Sequence, residues 1–167
     1  NNITFGYDKN QAILKDYSLE VKHNETVTIT GRTGAGKSTL FKLILGLYPC
    51  DKGEVSIFGV PATNINEKEK REIYGCVEQE FKPTTGTLKD QITLKNQSIT
   101  NLEVEKALET VGLKDKIQDC DKPFVASEFS QGQLQLLSIA RAIVKNPEIL
   151  LLDEMTANLD ALTEKAI

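Results

Sequence analysis

The sequence is short of several things. It has no tryptophan, one histidine and one methionine. Its longest apolar runs, such as Ile149 to Leu152, fall far below the roughly 20 residues needed to span a bilayer as a helix, so direct membrane insertion is not expected. No basic run stands out and the net charge is −4, which argues against nucleic acid as the main partner. Cys50, Cys76 and Cys120 are odd in number and lack metal-type spacing, which predicts reduced thiols in a cytosolic setting. No signal peptide is expected, and the sequence shows no internal repeat or low-complexity linker. The Asn24-Glu25-Thr26 and Asn96-Gln97-Ser98 sequons therefore read as coincidence. The chain opens on Asn1-Asn2 without an initiator methionine and stops at Ile167, inside what reads as the start of a helix; the expectation is a piece of something longer. With 40% hydrophobic and 26% charged residues, it reads as one globular domain with a real core.

What the sequence does have is Gly31-Arg32-Thr33-Gly34-Ala35-Gly36-Lys37-Ser38-Thr39. This fits G-x-x-x-x-G-K-[ST], the Walker A phosphate loop. Glycines let the backbone curl into a nest whose N–H groups point at an anion. A random chain of this length would contain the pattern about once in two hundred. Val27 to Thr30 before it reads as a buried strand, and Leu40 to Leu45 after it continues a helix expected over about 37–47. Such a helix aims its positive end at the phosphates. Lys37 would reach the β- and γ-phosphates, and the Ser38 hydroxyl would bind Mg²⁺.

Around this loop the chain predicts an α/β fold. Ile3 to Phe5, Ala12 to Leu14, Leu19 to Lys22 and Val27 to Thr30 read as strands of an antiparallel patch. Tyr7, between the first two, is either an adenine-stacking ring or an exposed loop tyrosine. Glu54 to Phe58 and Ile73 to Val77 are further strands, and the charged run Asn66 to Glu72 is a solvated helical turn or two. Gln79 follows a strand end, where polar residues of α/β proteins often enter the active-site crevice. Thr87 is a plausible N-cap. Thr100 to Glu103 is a capping box opening a helix with apolar face Leu102, Val104, Ala107, Leu108 and Val111, closed by Gly112. Residues from about 87 to 118 thus form a mostly helical insertion.

Ser130 with Gln133 opens another helix, running to about Lys145 before Asn146-Pro147 stops it. Locally this is simply a well-capped core helix. Ile149 to Leu152 is an apolar strand of the kind buried on both faces of a parallel sheet, ending in Asp153 and Glu154. Two acids at a strand tip are costly to desolvate without a cation or water to act on. Downstream of a phosphate loop they read as Walker B, with Asp153 holding Mg²⁺ and Glu154 polarising the attacking water.

Taken in order, these motifs resemble the ATP-binding cassette (ABC) ATPases over nearly the whole chain. The resemblance implies a P-loop NTPase (RecA-like) core with an antiparallel β subdomain and an α-helical subdomain over about 87–145, all within one domain, 1–167, whose end with the family's switch histidine is missing. His23, the only histidine, is an ordinary surface residue. It implies that Tyr7 stacks on adenine and that Gln79 contacts Mg²⁺ and the lytic water. Phe129-Ser130-Gln131-Gly132-Gln133 would be the signature motif, with Gln131 where glycine is usual, and Ala157-Asn158-Leu159-Asp160 the D-loop. Two cassettes, identical or different, would pair head to tail. Each ATP would lie between one Walker A loop and the partner's signature, and the cycle would drive attached transmembrane domains from the cytoplasmic side of the cell membrane. Gly86-Thr87-Leu88 and the lack of proline after Glu154 resemble exporter cassettes. Alternative expectations are a soluble ABC ATPase acting on ribosomes or DNA, and a nucleotide switch without turnover. This fragment alone is expected to hydrolyse ATP weakly or not at all.

Overall fold

The computed structural model describes residues 1–8, 11–77, 80–117 and 119–153. They fall into two compact units, Asn1–Lys70 and Arg71–Ile167.

In the first unit, β1 (Ile3–Phe5) pairs antiparallel with β2 (Leu14–Tyr17), with Ile3 opposite Tyr17 and Phe5 opposite Leu14. The two-residue period of a strand turns Ile3 and Phe5 to the same side, where both are buried. Helix α1 (Lys37–Ile44) lays Leu40 and Leu43 onto that side, closing a small core with Leu14. The antiparallel patch is therefore present, with its second strand shifted from the expected Ala12 to Leu14. Two expected strands are not formed. Leu19 to Lys22 and Val27 to Thr30 carry no strand, and Val27 is 38% exposed. β-branched residues favour extended backbone, but a strand also needs a hydrogen-bonded neighbour, and none pairs with Val27 to Thr30 among the described residues. The expected five-residue strand at Glu54 shrinks to β3 (Ser56–Ile57), hairpinned to β4 (Val60–Pro61). Phe58 and Gly59, both left-handed at φ 50° and 81°, reverse the chain early.

The charged run forms α2 (Glu67–Ile73), which buries none of its residues. In the second unit, β5 (Tyr74–Val77) and β6 (Ile149–Leu152) are parallel, in register from Tyr74 opposite Ile149 to Val77 opposite Leu152. Parallel neighbours need a long crossover. Here it carries α3 (Leu88–Thr93), α4 (Asn101–Thr110) and α5 (Gln131–Ile143). Leu137 and Ile139 of α5 are essentially inaccessible, packed with Ile92, Val104 and Leu108. Leu102 departs from the expected face and is 60% exposed. It lies two residues from Val104, about 200° round the helix, so it cannot share that face. β6 is likewise not buried on both sides: Leu151 is buried, while Leu150 and Leu152 are each 37% exposed.

The helices start where local chemistry dictates. Thr87 and Thr100 each accept the N–H of the third helical residue, and Asp90 and Glu103 each accept the cap's N–H in return. The Thr87 backbone and side-chain donors hold the Asp90 carboxyl below the usual range. The Thr100 hydroxyl and then its N–H do the same for Glu103. A carboxylate depressed on folding stabilises above its unfolded pKa, and that contribution is lost as pH falls through the folded one. Hence Asp90→Asn with Glu103→Gln is expected to flatten the acid limb. Its melting temperature should fall less than the wild type's between about pH 6 and pH 3.

Candidate functional site

The phosphate loop owes its shape to two left-handed glycines, Gly34 at φ 83° and Gly36 at φ 96°. Gly36 is the N-cap of α1, with no side-chain cap and no acidic residue in the first turn. The first N–H groups of a helix have no intrahelical acceptor, so this end can receive an anion. A Cβ on Gly36 would stand 3.0 Å from both Ile13 and Leu14, so a larger residue would fill the space the loop needs. The Lys37 ammonium folds back onto its own loop, donating to the carbonyls of Gly31 at 2.9 Å and Arg32 at 3.4 Å. Arg32, Thr33, Gly34 and Ala35 are exposed, as is Ser38, while Thr39 is buried.

The same unit brings Tyr7 to α1. Its ring is 52% exposed. It stands edge-on to Phe5 at 5.2 Å and to Tyr48 at 5.4 Å. The Lys42 ammonium lies 5.4 Å from its centroid. Its hydroxyl reaches Thr39 Oγ1 at 3.5 Å. The Thr39 hydrogen bond is the main influence lowering the Tyr7 phenol's pKa, opposed by burial and helped by Lys42. Local sequence did not single out Tyr48 or Lys42. Lys42 follows Lys37 by five positions on α1, but Tyr48 reaches Tyr7 only through the fold.

In the second unit, Asp153 follows β6 and is half-buried. Its N–H donates to the Val77 carbonyl at 3.2 Å, extending the β5–β6 pairing to the strand ends. Gln79, Glu154 and Asp160 lie outside the described residues. Ser130 is the N-cap of α5, its Oγ accepting the Gln133 N–H at 3.2 Å while Gln133 Oε1 accepts the Ser130 N–H at 3.0 Å. Gln131 and Gly132 occupy the first turn. Lys116, which nothing in its neighbourhood of the chain marks out, donates to the same Gln133 Oε1.

The family model described as ABC transporter matches residues 14–157. The chain belongs to the ABC transporter family. It is 35% identical over 99% of its length to the "Probable multidrug resistance ABC transporter ATP-binding/permease protein YheH" of Bacillus subtilis, covering 26% of that protein. It is 31% identical over 100% of its length to the lactococcin-A transport/processing ATP-binding protein LcnC of Lactococcus lactis, covering 24% of it. A bacterial Atm1-family ABC exporter with ATP bound matches the whole chain at TM-score 0.88 and 33% identity, over 30% of that exporter chain. This ABC transporter chain thus spans less than a third of the length of the relatives it matches.

Membership makes the fold that of the ABC nucleotide-binding domain, a P-loop NTPase. The ATP-binding domains of ABC transporters are ATPases. No helix among the described residues is long and apolar enough to cross a membrane.

Proposed function

We propose that this chain is the nucleotide-binding domain of an ATP-driven exporter, with residues 1–167 belonging to one ATPase domain and a helical subdomain over about 87–145. One observation carries the reading. The Gly31-to-Thr39 loop presents a helix end without a side-chain cap and a lysine whose ammonium, among the described residues, donates only to its own loop's carbonyls. A triphosphate offers that ammonium charged acceptors in place of neutral ones. In this reading Gly31 to Thr39 hold the phosphates and Tyr7 stacks on adenine. Ser38, Gln79 and Asp153 would hold Mg²⁺. A hydroxyl and a carboxylate fit that ion, which takes few protein oxygens beside phosphate. When bound, the ion would supply positive charge against that developing on the transferred phosphoryl group. Glu154 accepts the proton of the attacking water and Gln79 orients it.

Ser130, Gln131, Gly132 and Gln133 contact the nucleotide of a second cassette, and Ala157 to Asp160 serve as the D-loop. Transmembrane domains are the other partners, with the chain on the cytoplasmic face of the membrane. Relatives whose names include "permease" and "transport" support this over a ribosome- or DNA-associated ATPase. The intact Lys37, Asp153 and Glu154 support turnover over a non-hydrolysing switch.

The test is MgATP-dependent phosphate release and sedimentation of the intact protein. Hydrolysis is expected, together with arrest by Glu154→Gln in an ATP-dependent paired state. Wild-type turnover in Glu154→Gln, or no ATP-dependent pairing of cassettes, would overturn the reading.

A further inference from the structure

We infer that Lys116 is a positioning residue for the signature end of α5, occupying the Gln133 carboxamide oxygen so that this oxygen turns no lone pair toward the phosphates of a second cassette's ATP. The inference rests on the signature role of Ser130 proposed above. Four observations carry it.

First, the Ser130 hydroxyl oxygen accepts the Gln133 N–H, and among the described residues it donates to nothing, so its hydrogen is available to point outward. The N–H groups of Gln131 and Gly132, first in the helix, have no intrahelical acceptor. The end therefore has one hydroxyl and two amide donors to give.

Second, the Gln133 carboxamide oxygen is the acceptor that would spoil this surface, because a lone pair facing an incoming phosphate repels it. That oxygen is filled twice, by the Ser130 N–H at 3.0 Å and by the Lys116 ammonium at 2.5 Å. A carbonyl oxygen has two lone pairs, so both are used.

Third, Lys116 has two further contacts that aim it at Gln133. It also donates to the Glu128 carbonyl at 3.3 Å, and its ammonium lies 5.0 Å from the Phe129 ring centroid. Phe129 in turn stacks on Phe124 at 5.4 Å.

Fourth, its charge runs against the local field. A cation beside a helix N-terminus opposes the macrodipole, whereas an anion there is favoured. The pairing is unfavourable for the helix alone and becomes favourable once a phosphate arrives.

The test uses the intact protein with Lys116→Ala, Lys116→Met, Lys116→Arg and Ser130→Ala. Phosphate release against MgATP concentration gives kcat and half-saturation. Binding of a fluorescent ATP analogue at protein concentrations too low for pairing reads the Walker A site alone. Lys116→Ala and Lys116→Met are expected to raise half-saturation about three- to fivefold, the size of an exposed charged contact. Lys116→Arg should stay within about twofold, since it keeps the charge. Analogue binding and melting temperature should not move in any Lys116 variant, because Lys37 and its loop are untouched. If Lys116→Met behaves as wild type while Lys116→Ala does not, stem packing on Phe129 explains the effect and the inference fails. A fall in melting temperature parallel to the loss would sink it too. If Ser130→Ala raises half-saturation and Lys116→Ala and Lys116→Met do not, the inference falls and the proposed function stands. If neither position matters, the signature reading itself is wrong.

Discussion

Lys37→Ala is expected to weaken ATP binding about a hundredfold while leaving the fold intact. In the free protein the Lys37 ammonium donates to the Gly31 and Arg32 carbonyls. These are neutral acceptors at a half-exposed position, and losing them costs at most about 1 kcal/mol of stability. In the bound protein the same ammonium would face phosphate oxygens. A charge-assisted contact of about 2–3 kcal/mol corresponds to about 30- to 150-fold in affinity. The two costs differ enough to be separated. Titration with a fluorescent ATP analogue and Mg²⁺ reads the affinity, and a thermal melt of the same sample reads the fold. Loss of binding with an unchanged melting temperature supports the loop as the nucleotide site. Equal affinity in the variant would remove the observation on which the proposed function rests.

Gly75→Ala is expected to be the most damaging single methyl in the second unit. A Cβ there would lie 2.4 Å from the Ala142 carbonyl oxygen, 2.7 Å from Pro147 and 3.0 Å from Leu150. The nearest atom is backbone at the end of α5, so no rotamer change relieves the clash. Either β5 or the α5–β6 junction must move, and both bound the core that holds Leu137 and Ile139. Overpacking of this kind costs about 3 kcal/mol or more when the backbone cannot yield. At a urea slope of about 2 kcal/mol/M, the midpoint should drop by about 1.5 M. Cys76→Ala next door, at an exposed position, should shift stability by no more than about 0.5 kcal/mol. An unfolding midpoint for Gly75→Ala within error of Cys76→Ala would mean that the sheet and α5 do not pack as described.

The helices were more legible than the strands. Thr87, Thr100 and Ser130 are each followed three residues later by a side chain that returns the cap's hydrogen bond. Every atom of that signal lies within one turn. Val27 to Thr30 has the composition of a strand, yet strand formation depends on a neighbour that composition does not specify. β5 and β6 do pair, because the crossover between them is wrapped by α5 and the neighbours of Leu137. Lys116 was invisible in the sequence for the same reason. It meets Gln133 from seventeen residues away, through a turn that no local pattern announces.

The amino-acid sequence by itself determined the phosphate loop, the starts of α3, α4 and α5 and the tandem acids Asp153-Glu154, because each depends on residues only a few positions apart. Tertiary structure alone decided that Tyr7 stands beside Thr39, Lys42 and Tyr48, that Gly75 must lack a side chain, and that Lys116 saturates the Gln133 oxygen. These contacts join residues far apart in the chain. Their free energy is gained only when the elements between them have packed, so no window of sequence contains them.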